Sequence, residues 1–185
     1  MIPSEKAFSK DNQQERLKFI GWIVGFVDGE GCFTVTLHKN PTTSLGYQIM
    51  PEFVLSQGEK SKSVLYTTMK FFNCGRISVN RRHDNHRENL FRYSVKSQKE
   101  LLDIIIPFFK ENNLKTSKKD DFEKFSEILL LMKNKVHLTK EGVNEIIKII
   151  ETMNTRKKRN QSVLESSETI RRTRSGPLTF NKLTN

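Results

Sequence analysis

A chain of 185 residues is long enough for one compact domain with tails, and two full domains would be a tight fit. Its 32 Lys and Arg against 21 Asp and Glu leave a net charge of +11, a balance suited to a polyanionic partner, either nucleic acid or an anionic membrane surface. The longest apolar run, residues 19–27, falls well short of the roughly 20 residues that a membrane span needs, and Cys32 and Cys74, with no CxxC pair, support neither a disulfide scaffold nor a cysteine zinc site. A reducing compartment is therefore expected. Residues 1–15, with Glu5, Asp11 and Glu15, lack the composition of a secretory signal or an Arg-rich presequence. A single alanine against 21 Lys and 14 Asn points to an AT-rich coding genome, because alanine codons are GC-rich.

In chain order, residues 16–27 predict an apolar helix buried on more than one side, ended by the glycines of Asp28-Gly29-Glu30-Gly31. Phe33, Val35 and Leu37 alternate with Thr34, Thr36 and His38 as in a half-buried strand, and residues 47–57 alternate again after a turn-rich link. Pro51 favours an edge strand or a bulge there. Residues 60–73 return to helical spacing, closed by Asn73-Cys74-Gly75. Residues 76–82 and 90–95 read as two further strands, joined by a polar loop. Ser97 to Glu100 has the form of a capping box before a helix that Pro107 interrupts. Two last helices follow, over 121–134 and over 140–153 with Thr139 as N-cap. Beyond them runs a basic tail. The order predicts an α+β fold with a four-stranded, mainly antiparallel sheet covered by helices on one face. The charge is placed accordingly: 11 basic and 4 acidic groups give residues 39–99 +7, and 8 and 2 give residues 156–185 +6. An uncovered polar sheet face of this kind suits a nucleic-acid groove, though any half-exposed sheet has the same pattern.

Asp28 and Glu30 stand at the end of an apolar helix, where negative charge opposes the macrodipole by roughly 0.3–1 kcal/mol each. Between glycines they form either an oxygen-rich turn of the sort Mg²⁺ prefers or a merely solvated acidic turn. Gly21, Gly25 and Gly29 recur every four residues and make a small-residue stripe on which a second helix can pack closely. Two copies meeting there across a two-fold axis would bring two Glu30 carboxylates together for metal-assisted phosphodiester hydrolysis.

The stretch WIVGFVDGEG, residues 22–31, resembles the motif of the LAGLIDADG homing endonucleases, and the resemblance extends over residues 16–155. PEFVLSQ (51–57), FFNCGRI (71–77), the stretch 105–125 and the stretch 131–154 follow the family's order and spacing. The resemblance implies an αββαββα fold with extra C-terminal helices and a four-stranded antiparallel sheet as DNA-binding face. The expected organisation is an arm over 1–15, an endonuclease domain over 16–155 and a basic tail over 156–185. It implies a homodimer that cuts both strands of a long near-palindromic site, leaving short 3′ overhangs, with Mg²⁺ as cofactor and Mn²⁺ as a substitute. Carried over by position, Glu30 is the metal ligand and Gly29 offers its carbonyl, Gln57 organises water, and Lys118, with Lys119 as the neighbouring register, supplies the cation at the site. A further family arginine has no clear match; Lys60 and Lys62 are the substitutes. The DNA-reading set is Thr34, Thr36, His38, Gln48, Met50, Glu52, Val54, Arg76, Ser78, Asn80, Arg82 and Arg92, with Lys39, Arg81 and Arg87 toward phosphates. Gly21, Trp22, Gly25, Phe26 and Asp28 form the dimer interface, while within a protomer Trp22 and Phe26 read as core.

His83, His86 and His137 form no convincing metal set, and His137, before the last helix, reads as a hydrogen-bonded structural residue. The alternatives on the same scaffold are an intron RNA maturase, with intron RNA as a further partner, or a DNA-binding regulator; retention of Glu30 favours the enzyme. A membrane-surface role is disfavoured, since residues 156–185 have no amphipathic period. Composition fits an organelle matrix, mitochondrial or chloroplast, if the gene is organellar, and a prokaryotic cytoplasm otherwise.

Overall fold

The computed structural model describes residues 10–80 and 89–153. Its elements run α1 (Lys10–Glu30), β1 (Gly31–Lys39), β2 (Tyr47–Gly58), α2 (Lys62–Phe72), β3 (Arg76–Asn80), β4 (Leu90–Val95), α3 (Gln98–Glu100), a π-helical turn (Leu101–Ile105), α4 (Ile106–Glu111), α5 (Lys118–Lys133) and α6 (Lys140–Thr152). The strands form one antiparallel sheet in the order β1-β2-β4-β3. This is the expected α+β arrangement with helices after each strand pair and two more at the end. Arg81, Arg82, Arg87, His83 and His86 lie outside the described residues, as do the tail 156–185 and most of the expected arm.

Several local expectations are corrected. Helix α1 begins at Lys10, inside the expected arm, and does not stop at Asp28: it continues through Gly29 to Glu30. The glycine that is sterically required there is Gly31, where an added Cβ would lie 2.6 Å from Val27 Cγ1 and 2.7 Å from the Val27 carbonyl oxygen. Among its described side chains, helix α1 buries Ile23 and Val27, one turn apart. Trp22 is 40% exposed rather than core, stacked between Phe19 and Phe26 with ring centroids 5.3 and 5.2 Å away. Pro51 is not on an edge strand, because β2 lies between β1 and β4. It is tolerated because the pairing with β4 begins only at Phe53. The α-helix is interrupted just before Pro107, as expected. The wider π-helical turn before it lets the chain continue into α4 with the proline in the first turn, where a missing N–H costs little.

Other local signals operate as expected. Ser97 accepts a hydrogen bond from the Glu100 amide at 3.3 Å, and Thr139 caps α6 by accepting from the Gly142 amide at 3.1 Å. Asn73 closes α2 in the left-handed conformation (φ 50°), and Gly75 follows at φ 74° with Ser94 O too close for any side chain.

The chain divides into two compact units, Met1–Cys32 with Phe53–Lys119, and Phe33–Glu52 with Asp120–Asn185. Strands β1 and β2 contribute to both. A 12-residue strand is about 40 Å long, more than one small core needs. The first unit is built on Ile23, Val27, Phe53, Leu55, Leu65, Tyr93, Leu101 and Phe109, all fully buried. The rings of Phe53, Phe72, Phe108 and Phe109 pack edge-on or tilted within it. In the second unit, Phe33 packs against Phe122 and Phe125 at 5.2 and 5.4 Å, beside Ile128, Leu129 and Ile146.

Candidate active site and sheet face

The C-terminal end of α1 carries the acidic pair, and the two carboxylates have different fates. Glu30, the last helical residue, is exposed, as is Gly29. Asp28 faces the segment ahead of α5: its carboxylate accepts from the Lys115 amide at 2.7 Å, the Thr116 amide at 3.2 Å and the Thr116 hydroxyl at 2.9 Å. Partial burial pushes its pKa up, but these hydrogen bonds and the nearby Lys118 charge outweigh that and hold it below the ordinary 3.8. Asp28, expected at a dimer interface, is thus engaged within its own chain.

The same segment delivers the lysine. The Lys118 amide donates to Thr116 Oγ1 at 3.2 Å, and the Lys118 ammonium donates to the carbonyl of Gly31, the residue after Glu30. Lys119 is exposed, and its amide bonds to Thr116 O at 3.0 Å, so of the two registers Lys118 is the one brought to the helix end. Gln57, half-buried on β2, lies opposite Phe91 in the core-side row of the sheet and shares no hydrogen bond with Glu30 or Lys118 among the described residues. Of the two substitutes for the missing arginine, Lys60 is exposed, whereas Lys62 pairs with Glu59 at 3.4 Å and sits 5.0 Å over the ring of Phe91, Gln57's cross-strand partner.

The donor set at the helix end is all oxygen: an exposed carboxylate on Glu30 and, one residue before, a carbonyl in the last turn of α1, where helix carbonyls lack intrahelical partners. That suits a hard divalent cation, which typically takes one or two protein carboxylates with phosphate and water. Among the described residues, no group of three or more His, Cys, Asp or Glu side chains gathers that could hold a metal ion.

On the sheet, the register groups the polar residues into rows. In the first unit, Val54 lies opposite Ser94, which lies opposite Arg76; Arg92 stands between Ser56 and Ser78; and Asn80 pairs with Leu90. Arg76, Ser78 and Asn80 are exposed and Arg92 is half-buried, but Val54 is only 7% exposed and has little surface to offer a ligand. Ser56 shares this face and was omitted from the predicted set, although the two-residue alternation through 48, 50, 52 and 54 leads directly to it. In the second unit, His38, Lys39 and Gln48 are exposed, and Thr34, Thr36, Met50 and Glu52 half-buried. There Thr36 Oγ1 lies 3.1 Å from His38 Nε2 and donates to Met50 O at 3.4 Å, and Gln48 accepts from the Asn40 side chain at 3.2 Å. His137 is not the hydrogen-bonded residue expected: its Nδ1 is buried with no hydrogen-bond partner among the described residues, and burial lowers its pKa from 6.5.

Residues 23–129 match the LAGLIDADG endonuclease family. The chain belongs to that family. Among relatives of this LAGLIDADG chain, the probable intron-encoded endonuclease 2 of Neurospora crassa is 33% identical over 69% of the chain, and the DNA endonuclease I-CeuI of Chlamydomonas moewusii is 27% identical over 88% of the chain and 73% of its own length. The chain spans about a quarter (26%) of the Neurospora protein. Among solved structures, the homing endonuclease I-TnaI is 40% identical with a TM-score of 0.67, covering 80% of this chain and 96% of I-TnaI. The LAGLIDADG homing endonuclease I-LtrWI, bound to target DNA, is 32% identical with a TM-score of 0.69, covering 82% of this chain but 46% of its own. The common fold in these structures is the one built here from α1, the sheet and the later helices.

Proposed function

We propose that the protein is a site-specific homing endonuclease, which binds a long near-palindromic double-stranded DNA site as a homodimer and hydrolyses both strands, leaving short 3′ overhangs. The observation that carries this reading is the Lys118 ammonium held at Gly31, beside the exposed Glu30, in a chain of the LAGLIDADG family. Glu30 and the Gly29 carbonyl hold the divalent cation, Mg²⁺ with Mn²⁺ as a substitute. When bound, that ion supplies Lewis-acid charge at the scissile phosphate. A structure of the related I-SmaMI with uncleaved DNA in the presence of calcium, 28% identical, supports divalent-metal use. Lys118 offsets the negative charge that builds on the phosphoryl oxygens, and Gln57 orients water. The polar sheet faces enter successive major grooves, where Arg76, Arg92 and Gln48 read base edges and Lys39 meets phosphate.

One observation supports the homodimer. The glycine stripe of α1 is exposed, with nothing within 4 Å of a Cβ at Gly21, Gly25 or Gly29, and Trp22 stands exposed beside it. The intron-encoded fungal relatives support an organellar intron as the gene's home and the organelle matrix as the place of action. The test is cleavage of a randomised duplex library in Mg²⁺ and, in parallel, in Ca²⁺. Mg²⁺-dependent cuts with a fixed 3′ overhang, centred in a near-palindromic site, are expected; specific binding without cuts in either ion would replace the nuclease by a regulator.

A further inference from the structure

We propose that Asp28 and Thr116 are positioning residues for Lys118, forming with it a closed ring of hydrogen bonds at the end of α1; the inference rests on the nuclease reading above. The ring starts at Asp28, whose carboxylate takes the Lys115 amide and both the amide and the hydroxyl of Thr116 at 2.7, 3.2 and 2.9 Å. A hydroxyl that donates its one proton still has lone pairs to accept with. Thr116 Oγ1 uses one of these on the Lys118 amide at 3.2 Å, fixing the backbone of the first residue of α5. The lysine head group then closes the ring by donating to Gly31 O, three residues after Asp28 and next to Glu30. Apart from the Thr116–Lys118 link, every hydrogen bond of the ring joins the short stretch 28–31 to the short stretch 115–118.

Two features distinguish this ring from an ordinary staple between a loop and a helix. A carboxylate at a helix C-terminus opposes the macrodipole, so α1 alone gains nothing from Asp28; its three donors all lie on the segment that carries Lys118. Lysine is also a long, flexible stem with a point charge, whose position is set only by what holds its two ends. Here both ends are held, the backbone by Thr116 and the ammonium by Gly31, so the cation stands oriented before any substrate arrives. Misplacement of a reacting group by about 1 Å costs on the order of a hundredfold in rate.

The variant that isolates this role is Thr116→Val, which keeps the shape of the side chain and the two amides on Asp28 but removes the hydroxyl. On a duplex recovered from the randomised library, its single-turnover cleavage in Mg²⁺ is expected to fall tenfold or more. Binding of the same duplex in Ca²⁺ and the melting temperature stay close to wild type, and Thr116→Ser restores the rate to within about twofold. In a Lys118→Ala background, Thr116→Val is expected to have no further effect on rate. Independently of cleavage, amide hydrogen exchange at Lys118 is expected to be slow in the wild type and fast in Thr116→Val, while the Lys115 amide stays protected. A Thr116→Val loss that recurs at full size in the Lys118→Ala background, or a Lys118 amide unprotected in the wild type, would overturn the proposal. Failure of the wild type to cut any duplex, with the amides still protected, would instead remove the nuclease reading and the positioning role with it.

Discussion

Gly25→Ala places the two states of α1, solvated face or subunit contact, on opposite sides of a measurement. In the isolated protomer a Cβ at Gly25 meets nothing within 4 Å. Replacing an exposed mid-helix glycine by alanine then stabilises the helix by about 0.8–1 kcal/mol. For a chain of this size that raises the melting temperature by about 2–4 °C. In a homodimer packed through α1, with helix axes about 8–10 Å apart, the same methyl falls on the contact from both subunits. The propensity gain is common to monomer and dimer and drops out of their equilibrium. Overpacking of about 1–3 kcal/mol at the interface remains, which raises the dimer dissociation constant about 5- to 150-fold. Sedimentation over nanomolar to micromolar concentrations reads the second quantity, and thermal melts of the dilute protein read the first. Gly25→Ala is expected to sediment as monomer at concentrations where the wild type is dimeric. An unchanged sedimentation profile with the melting temperature raised would refute a dimer built on this face.

Gly142→Ala should unfold the C-terminal pair of elements early, since its Cβ would lie 1.9 Å from Val136 O. A loss of about 3 kcal/mol or more is expected, read as a fall in melting temperature of roughly 6–12 °C; a change under about 2 °C would contradict the packing of α6 on the turn before it. For His137, burial lowers the folded-state pKa below the unfolded 6.5, so the neutral form belongs to the fold and the unfolded chain takes up the proton first. Stability from this group is present above pH 6.5 and declines as pH falls below it. Urea unfolding at pH 7.5 and 5.5 should show a larger acid loss for the wild type than for His137→Gln, and equal losses would dismiss the assignment. Arg76→Ala should relax specificity at one symmetric pair of positions by about 1–3 kcal/mol in a binding profile; uniform weakening at every position would make Arg76 a phosphate contact.

The elements were legible where pattern and packing agree. The period-2 strands around Phe33, Phe53 and Tyr93 and the caps at Ser97 and Thr139 follow from residues within a few positions of one another. The departures come from partners distant in sequence. Asp28-Gly29-Glu30 looks like a helix stop because the local preference of glycine says so, but α1 runs to Glu30, and the Asp28 carboxylate finds its partners 87 and 88 residues away, on Lys115 and Thr116. Trp22 reads as core from its size, yet the buried stripe is Ile23 and Val27, and the indole lies on the open side with the glycines. Pro51 suggests an edge strand or a bulge and Pro107 a helix interruption, and each is accommodated by an arrangement that single positions do not reveal: a stretch of β2 not paired with β4 in the first case, a π-helical turn in the second. Spacing alone, through the pattern KxxDF, pointed to Lys118 with Lys119 as the neighbouring register, and the bond from the Lys118 ammonium to the Gly31 carbonyl agrees with that choice. The Asp28–Thr116 ring had no sequence signal beyond an acid that helix stability does not account for.

The most direct test of the central claim compares the wild type with Glu30→Gln on one duplex selected from the randomised library, scoring cleavage in Mg²⁺ and equilibrium binding in Ca²⁺ side by side. A metal-dependent nuclease centred on Glu30 predicts complete loss of cleavage by Glu30→Gln with binding within a few fold of the wild type. Cleavage that survives the substitution, or binding that disappears along with it, would contradict the assignment.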